Sequence, residues 1–211
     1  MKPHFGQHIQ AGGKELGKGT AAMIMVHGRG AGPASILELA AHFPHGDLSY
    51  LAPGAANYTW YPYSFLAPIP QNEPGISSGI FTIGRLVEQV KEAGIPSEKV
   101  FFVGFSQGAC LTSEFLARHP DTYGGALIYS GGLIGPKGTS RNYPGSLKGT
   151  PIFLGCSDVD AHVPKWRVDE SAEVFEKLEA EVTKRIYPGM PHTIIEDEIL
   201  FGKELLEKSL G

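Results

Sequence analysis

Short apolar segments alternate with helical patterns along most of this 211-residue chain. The clearest apolar segments are AAMIMV at residues 21–26, VFFV at residues 100–103 and ALIY at residues 126–129. Continuous apolar runs of this length are typical of strands in a sheet that helices cover on both faces. The alternation therefore predicts an α/β fold with a mainly parallel central sheet and helices on both faces.

Weaker patterns complete the predicted order of elements. Further strands are expected at residues 48–53, 151–154 and 182–187. Helical patterns occupy about residues 32–41, 80–93, 106–119, 168–179 and 194–208. The N-terminal segment, an aromatic-rich stretch at residues 54–74 and residues 132–151 are expected to be loops. No linker or internal repeat divides the chain, so residues 1–211 are expected to form one domain whose 28 Gly and 16 Pro serve tight turns.

Composition and charge exclude several classes of protein. The chain has 18 Lys and Arg against 22 Asp and Glu, a net charge of -4, so no basic surface for nucleic acid is expected. The longest wholly apolar run has six residues, and the N-terminus has no apolar segment of a secretory signal, so we expect no stable membrane anchor. Cys110 and Cys156 are predicted to be buried thiols in a reducing cytoplasm, the expected location of the protein.

The pattern G-x-S-x-G occurs twice, at residues 75–79 and 104–108. A nucleophilic serine in this pattern needs a buried strand before it and a helix after it, because a sharp turn then lifts its hydroxyl to a helix N-terminus. Ser106 has both neighbours, and we expect it to be a nucleophile. Ser77 follows the segment QNEP, which cannot be a central strand, so Ser77 is expected to start a helix.

A serine nucleophile needs a base and an acid that holds the base. On this type of sheet the chain order is serine, then acid, then histidine. His192, in the loop between the last strand and the last helix, is the expected base. Asp158 and Asp160 both follow the strand at residues 151–154, and the residues alone leave the acid open between them. The other aspartate is expected to cap a loop.

Two backbone N–H groups are needed to stabilise a tetrahedral oxyanion. One is expected from Gln107, which follows the nucleophile. The other is expected from the glycine-rich loop HGRGAG at residues 27–32, which lacks the G-x-G-x-x-G pattern and the lysine of nucleotide-binding loops. In this loop, His27 is interpreted as a structural histidine and the Arg29 side chain as a surface group.

Five motifs in order carry a resemblance to a known family: HGRG at residues 27–30, GFSQGA at 104–109, SGG at 130–132, DAHVP at 160–164 and GMPH at 189–192. Together they resemble the phospholipase/carboxylesterase family of the α/β-hydrolase fold, which includes small bacterial carboxylesterases and acyl-protein thioesterases. The resemblance implies a serine hydrolase that needs no cofactor and no metal. It implies Asp160 as the acid and the Arg29 N–H as the second oxyanion donor.

The resemblance also implies a substrate class. Residues 60–62 read WYP where the thioesterase branch often has Trp-Phe-Asp, so the bacterial carboxylesterase branch is the closer match, and the chain is too short for a large lid domain. We therefore expect a serine carboxylesterase that hydrolyses short- to medium-chain, small-molecule esters through an acyl-enzyme. The alternatives are an acyl thioesterase or lysophospholipase, and a non-catalytic binding protein on the same scaffold.

The acyl pocket is expected to involve five apolar side chains, whose other interpretation is ordinary core packing. They are Trp60, Tyr61, Phe65, Leu133 and Ile134. The aromatic loop that contributes three of them is either a pocket wall or a dimer surface, so a homodimer is one of two interpretations.

Overall fold

The computed structural model describes residues 4–211, and the expectations for residues 1–3 lie outside the described residues. A seven-stranded sheet forms the centre of the described chain, with the strand order β1-β3-β2-β4-β5-β6-β7. The strands are β1 (Ile9–Gly13), β2 (Ala21–Val26), β3 (Leu48–Pro53), β4 (Val100–Phe105), β5 (Gly125–Tyr129), β6 (Pro151–Ser157) and β7 (Glu181–Tyr187).

The sheet is mainly parallel, as predicted. Strands β3, β2, β4, β5, β6 and β7 pair in parallel, and β1 pairs with β3 in the antiparallel direction. The prediction of a loop at the N-terminus was wrong for β1. Its sequence, IQAGG, has no apolar run, and this edge strand is defined by its backbone pairing with β3 rather than by its side chains.

Helices cover both faces of the sheet. Helices α3, α4 and α5 contribute to one apolar core, and α1 and α6 contribute to the core on the opposite face. The helices are α1 (Pro33–Leu37), α2 (Ile69–Asn72), α3 (Gly75–Glu92), α4 (Gln107–Arg118), α5 (Lys165–Lys177) and α6 (Glu196–Leu210).

Two helical predictions need correction. The helix expected at residues 32–41 ends as an α-helix at Leu37 and continues as a 3-10 segment, Glu38–His42. The loop expected at residues 54–74 contains a 3-10 turn and the short helix α2. Ser77 lies in the first turn of α3, as predicted, and its hydroxyl donates a hydrogen bond to Glu73 at 2.6 Å.

Strand β4 and helix α4 are joined by a single residue, Ser106. This turn packs so closely against β2 that a Cβ at Gly108 would overlap the carbonyl oxygen of Val26. A Cβ at Gly104 would lie 2.7 Å from the Cα of Ala109. Glycine at both positions therefore permits the tight turn, because any side chain there would meet backbone that cannot move aside.

We predict opposite effects for alanine at two helical glycines. Gly108→Ala should lower the free energy of unfolding by about 2 kcal/mol or more, because its Cβ collides with backbone. Gly84→Ala in α3 should raise it by about 0.5–1 kcal/mol, because alanine is the better helix former. The Cβ at position 84 would meet Phe115 at an ordinary 3.6 Å. Urea denaturation of the two variants measures the difference, and a tolerated Gly108→Ala would contradict the packing argument.

Candidate active site

A cleft of about 630 Å³ opens at the carboxyl edge of the parallel strands. The loops that follow β2, β4, β6 and β7 meet there, as expected for the ligand-binding edge of an α/β sheet. The residues expected to carry the chemistry lie in this cleft: Ser106, His192, Arg29 and Gln107 are in its wall. Asp160 lies behind His192, and its side chain is fully buried.

Ser106 occupies a strained backbone conformation. Its φ is 54° and its ψ is -118°, a combination that L-amino acids rarely adopt. Its N–H donates to the carbonyl of Tyr129 at 3.0 Å, and its own carbonyl accepts from the N–H of Cys110 at 3.0 Å. These bonds to β5 and α4 hold the turn, so the hydroxyl is presented at the N-terminus of α4.

The Ser106 hydroxyl, His192 and Asp160 form a continuous hydrogen-bonded chain. Nδ1 of His192 lies 2.6 Å from Oδ2 of Asp160, and Nε2 lies 2.8 Å from Oγ of Ser106. A carboxylate can only accept hydrogen bonds, so the proton of the neutral ring belongs on Nδ1. Nε2 is then free to accept from the serine hydroxyl, which is the arrangement that a general base requires.

Asp160 is held as a carboxylate. Its second oxygen accepts from the N–H groups of His162 at 2.8 Å and Val163 at 2.9 Å. Burial acts to raise the pKa of Asp160, but the hydrogen bonds from His192, His162 and Val163 outweigh it and hold the pKa below its usual range.

Asp158 has a different role from Asp160. Its Oδ1 accepts from the N–H of Gly189 at 2.8 Å, in the loop that carries His192. Asp158 therefore ties the β6 loop to the β7 loop, while Asp160 reaches the imidazole. The residues alone could not separate these two aspartates, because both follow the same strand at nearly the same spacing.

Aromatic neighbours orient the His192 ring. The ring of Phe105 lies 5.0 Å from it, and the ring of His162 lies 4.9 Å away in an edge-to-face arrangement. His162 also lines the cleft. Sequence reasoning did not assign His162 to the site; its place two residues after Asp160 in the same motif was the available signal.

The backbone of Arg29 and Gln107 fits the role of oxyanion donor. Both residues are in the cleft wall with Ser106. Within residues 4–211, neither backbone N–H donates to a protein acceptor. Donors without an internal partner beside a nucleophile are available to a developing negative charge.

The side chains of Arg29 and Gln107 hold the aromatic loop by its backbone. Oε1 of Gln107 accepts from the N–H of Trp60 at 2.9 Å, and its Nε2 donates to the carbonyl of Tyr61 at 2.8 Å. The Arg29 guanidinium donates to the next two carbonyls along the chain, at 2.9 Å and 2.7 Å. The interpretation of this side chain as a simple surface group was therefore incomplete: it is exposed, and it also fixes the loop.

The structure separates the five candidate pocket residues into two groups. Tyr61 and Phe65 line the cleft. Trp60 does not: it is fully buried and contacts the rings of His4 and His27, and its indole N–H donates to the carbonyl of His27 at 2.9 Å. Trp60 therefore anchors the aromatic loop to the core and does not line the cleft.

Leu133 and Ile134 also lie outside the cleft wall, in the core. The N–H of Leu133 donates to the Ser171 hydroxyl, and the N–H of Ile134 donates to the buried carboxylate of Glu114, both at 2.9 Å. These two anchors draw the segment onto α4 and α5. The sequence pattern did not predict that Glu114, in the middle of α4, is buried.

His27 is a structural residue, as interpreted from the sequence. Its Nε2 accepts from the N–H of Ala55 at 3.1 Å, so its proton lies on Nδ1, which donates to the carbonyl of Gly28 at 2.7 Å. Burial lowers the pKa of His27 and outweighs the opposing effect of the hydrogen bond to Gly28. The lowered pKa favours the neutral ring, which these two hydrogen bonds require.

Both cysteines are free and buried, as predicted. Burial raises the pKa of each thiol, Cys110 and Cys156, to about 12. Among residues 4–211, no cluster of three or more His, Cys, Asp or Glu side chains is arranged to hold a metal. In the same described part of the chain, no helix combines the length and apolar character needed to cross a membrane.

Glu198 is a buried carboxyl group close to the loop that carries His192. Its residue is 1% exposed, and its Oε2 accepts from the N–H of Ile195 at 2.9 Å, which caps the N-terminus of α6. Its other oxygen lies against Gly155 of β6, where a Cβ would overlap it. Burial, partly opposed by the Ile195 hydrogen bond, raises the pKa of Glu198 to about 7.

Comparisons with known proteins identify the family of the chain. Residues 9–210 match the model of a family described as phospholipase/carboxylesterase. A crystal structure of a phospholipase/carboxylesterase from Dyadobacter fermentans is 41% identical with a TM-score of 0.94, covering 98% of this chain and 99% of that chain. A probable carboxylesterase of Oryza sativa subsp. japonica is 30% identical over 132 residues, 62% of this chain and 49% of that protein. Acyl-protein thioesterase 1 of Saccharomyces cerevisiae is 30% identical over 140 residues, 65% of this chain and 61% of that protein.

The sheet, its covering helices and these likenesses define an α/β-hydrolase fold, which confirms the fold predicted from the sequence. The chain belongs to the phospholipase/carboxylesterase family. Among these relatives, the rice protein is described as a probable carboxylesterase and the yeast protein as an acyl-protein thioesterase. The match spans only about half of the rice protein and less than two thirds of the yeast protein.

We predict that Glu198→Gln makes unfolding less dependent on pH. The folded carboxyl holds its proton up to a pKa of about 7, whereas the unfolded group releases it near its usual 4.5, so the stability it contributes falls as pH rises through this window. A neutral amide removes that loss and can still accept from Ile195. The free energy of unfolding should rise by about 1–3 kcal/mol at about pH 8 and change much less at about pH 5. Urea titrations at both pH values measure it, and an equal change at both would refute the argument.

Proposed function

We propose that the chain is a serine carboxylesterase that hydrolyses short- to medium-chain carboxylic esters through an acyl-enzyme. The observation that supports this most directly is the hydrogen-bonded chain from Ser106 through His192 to Asp160. It stands in a cleft with two unpaired backbone donors and an aromatic wall. Each group therefore has the neighbour that acyl transfer requires.

In the first half of the reaction, Oγ of Ser106 attacks the ester carbonyl while Nε2 of His192 takes its proton. Asp160 accepts from Nδ1–H and stabilises the imidazolium that forms. The N–H groups of Arg29 and Gln107 bind the oxyanion, each contributing on the order of 3 kcal/mol to the transition state. The imidazolium then protonates the alkoxide as the ester C–O bond breaks, and the alcohol leaves.

In the second half, His192 takes a proton from water, and the resulting nucleophile attacks the acyl-enzyme. The second tetrahedral intermediate uses the same oxyanion donors. Its collapse returns the proton from His192 to Oγ of Ser106 and releases the carboxylic acid. The buried ring of Tyr61 and the ring of Phe65 supply an apolar wall for the acyl chain.

An acyl thioesterase is the second candidate, because a yeast relative that is 30% identical carries that activity in its name. Because residue 62 is a proline, it places no carboxylate in this part of the cleft wall, which favours hydrolysis of esters over thioesters. Rates on p-nitrophenyl esters of increasing chain length, beside matched thioesters, separate the two candidates. The cytoplasmic location stays a prediction from the sequence.

We predict that a fluorophosphonate probe labels the wild type and not Ser106→Ala. The probe reacts with an activated serine, and among residues 4–211 only the Ser106 hydroxyl has an imidazole nitrogen at hydrogen-bond distance. Ser77→Ala is the matched control, because Ser77 lies in the other G-x-S-x-G pattern and bonds to Glu73 instead. Labelling should persist in Ser77→Ala. Labelling of Ser106→Ala would contradict the assignment of Ser106 as the nucleophile.

We also predict that Asp160→Asn lowers kcat on p-nitrophenyl butyrate by on the order of 10³-fold or more. An asparagine amide can donate toward Nδ1 and favour the wrong tautomer of His192. Asp158→Asn should change kcat less than about threefold, because an amide oxygen can still accept from Gly189 and the group is exposed. Circular dichroism confirms folding of both variants. A larger loss in Asp158→Asn than in Asp160→Asn would reverse the two roles.

A further inference from the structure

The charge in the cleft wall is one-sided. Among the described residues that line it, no aspartate or glutamate is present, whereas Arg29, a permanent cation, is exposed there. The chain as a whole is acidic, with a net charge of -4. Asp160, the nearest carboxylate to the reaction centre, is buried and faces His192 rather than the cleft. The cleft is therefore a cationic site on an acidic protein.

The Arg29 guanidinium is fixed but not neutralised. Its two terminal nitrogens donate to the carbonyls of Pro62 and Tyr63, and its carbon lies 5.9 Å from the Tyr61 ring centre. A guanidinium has five N–H donors, so three are still available. Within residues 4–211, no carboxylate lies within 4.0 Å of it. Carbonyls orient the cation without cancelling its charge, and a preorganised cation loses little entropy when it binds an anion.

Arg29 also lies beside the proposed chemistry, since its backbone N–H is an oxyanion donor in the proposed function. We propose that the preferred substrates are esters that carry a carboxylate near the scissile bond, and that the Arg29 side chain recognises this carboxylate. The apolar part of such a substrate packs on Tyr61 and Phe65. This inference rests on the proposed esterase function and narrows it to a class of substrate.

Two pairs of synthetic esters test the proposal, because the carboxylate can stand on the acyl or on the alcohol side. On the acyl side, the p-nitrophenyl monoester of adipic acid is compared with the same ester bearing a primary amide in place of the carboxylate. On the alcohol side, 4-carboxyphenyl butyrate is compared with 4-carbamoylphenyl butyrate. The amides match the carboxylates in size, so the ratio of kcat/KM within a pair reports the charge.

Three variants assign the effect to Arg29. Arg29→Gln removes the charge, Arg29→Lys keeps it, and Arg85→Gln removes an exposed arginine of α3 that is outside the cleft wall. Because each ratio is taken within one variant, a general loss from a loosened loop cancels. Arg85→Gln changes the net charge by the same amount as Arg29→Gln and so controls for long-range electrostatics.

In at least one pair, the carboxylate-to-amide ratio should be about fivefold higher in the wild type than in Arg29→Gln. Arg29→Lys and Arg85→Gln should keep most of the wild-type ratio. Added NaCl at about 0.5 M should lower the wild-type ratio and leave that of Arg29→Gln unchanged. If the carboxylate-to-amide ratio is the same in the wild type and in Arg29→Gln for both pairs, the inference is overturned. Turnover of the amide esters in that case still supports the proposed esterase function. If the wild type hydrolyses none of the four esters, both the proposed function and the inference are contradicted.

Discussion

The whole site depends on one close contact between backbones. The turn at Ser106 lies against the end of β2 with no room for a Cβ at Gly108, and Ser106 itself takes a positive φ. That contact brings the serine hydroxyl, the N–H of Gln107 and the loop after β2 into one small volume. A looser turn would accommodate ordinary side chains but would separate the proposed nucleophile from the proposed oxyanion donors.

The parallel pairing of β6 with β7 provides the rest of the geometry. Ser157 pairs with Tyr187, so the loops that follow these residues leave the sheet side by side. Asp160 and His192 lie on those two loops, 32 residues apart in sequence and 2.6 Å apart in space. The hydrogen bond from the Gly189 N–H to Asp158 joins the same two loops a second time. Adjacent parallel strands thus convert distant sequence positions into a rigid pair.

Much of this could be predicted from the sequence, and the exceptions share a cause. Strands such as VFFV at residues 100–103 and the turn at Ser106 are encoded by local patterns, so they were predicted. Strand β1 and the distinction between Asp158 and Asp160 depend on partners far away in sequence. The core positions of Leu133 and Ile134 depend on Glu114 and Ser171 in the same way. Where tertiary contacts decide a residue's place, a single sequence holds no local signal for it.

The grip of Arg29 and Gln107 on the aromatic loop has a consequence for how this cleft can change. All four of their contacts reach main-chain atoms, so they do not depend on which side chains the loop carries. Replacements at exposed positions such as Tyr63 can reshape the cleft while the loop stays anchored. New specificities can therefore arise here by exchanging side chains on a fixed frame, without rebuilding the atoms that perform the reaction.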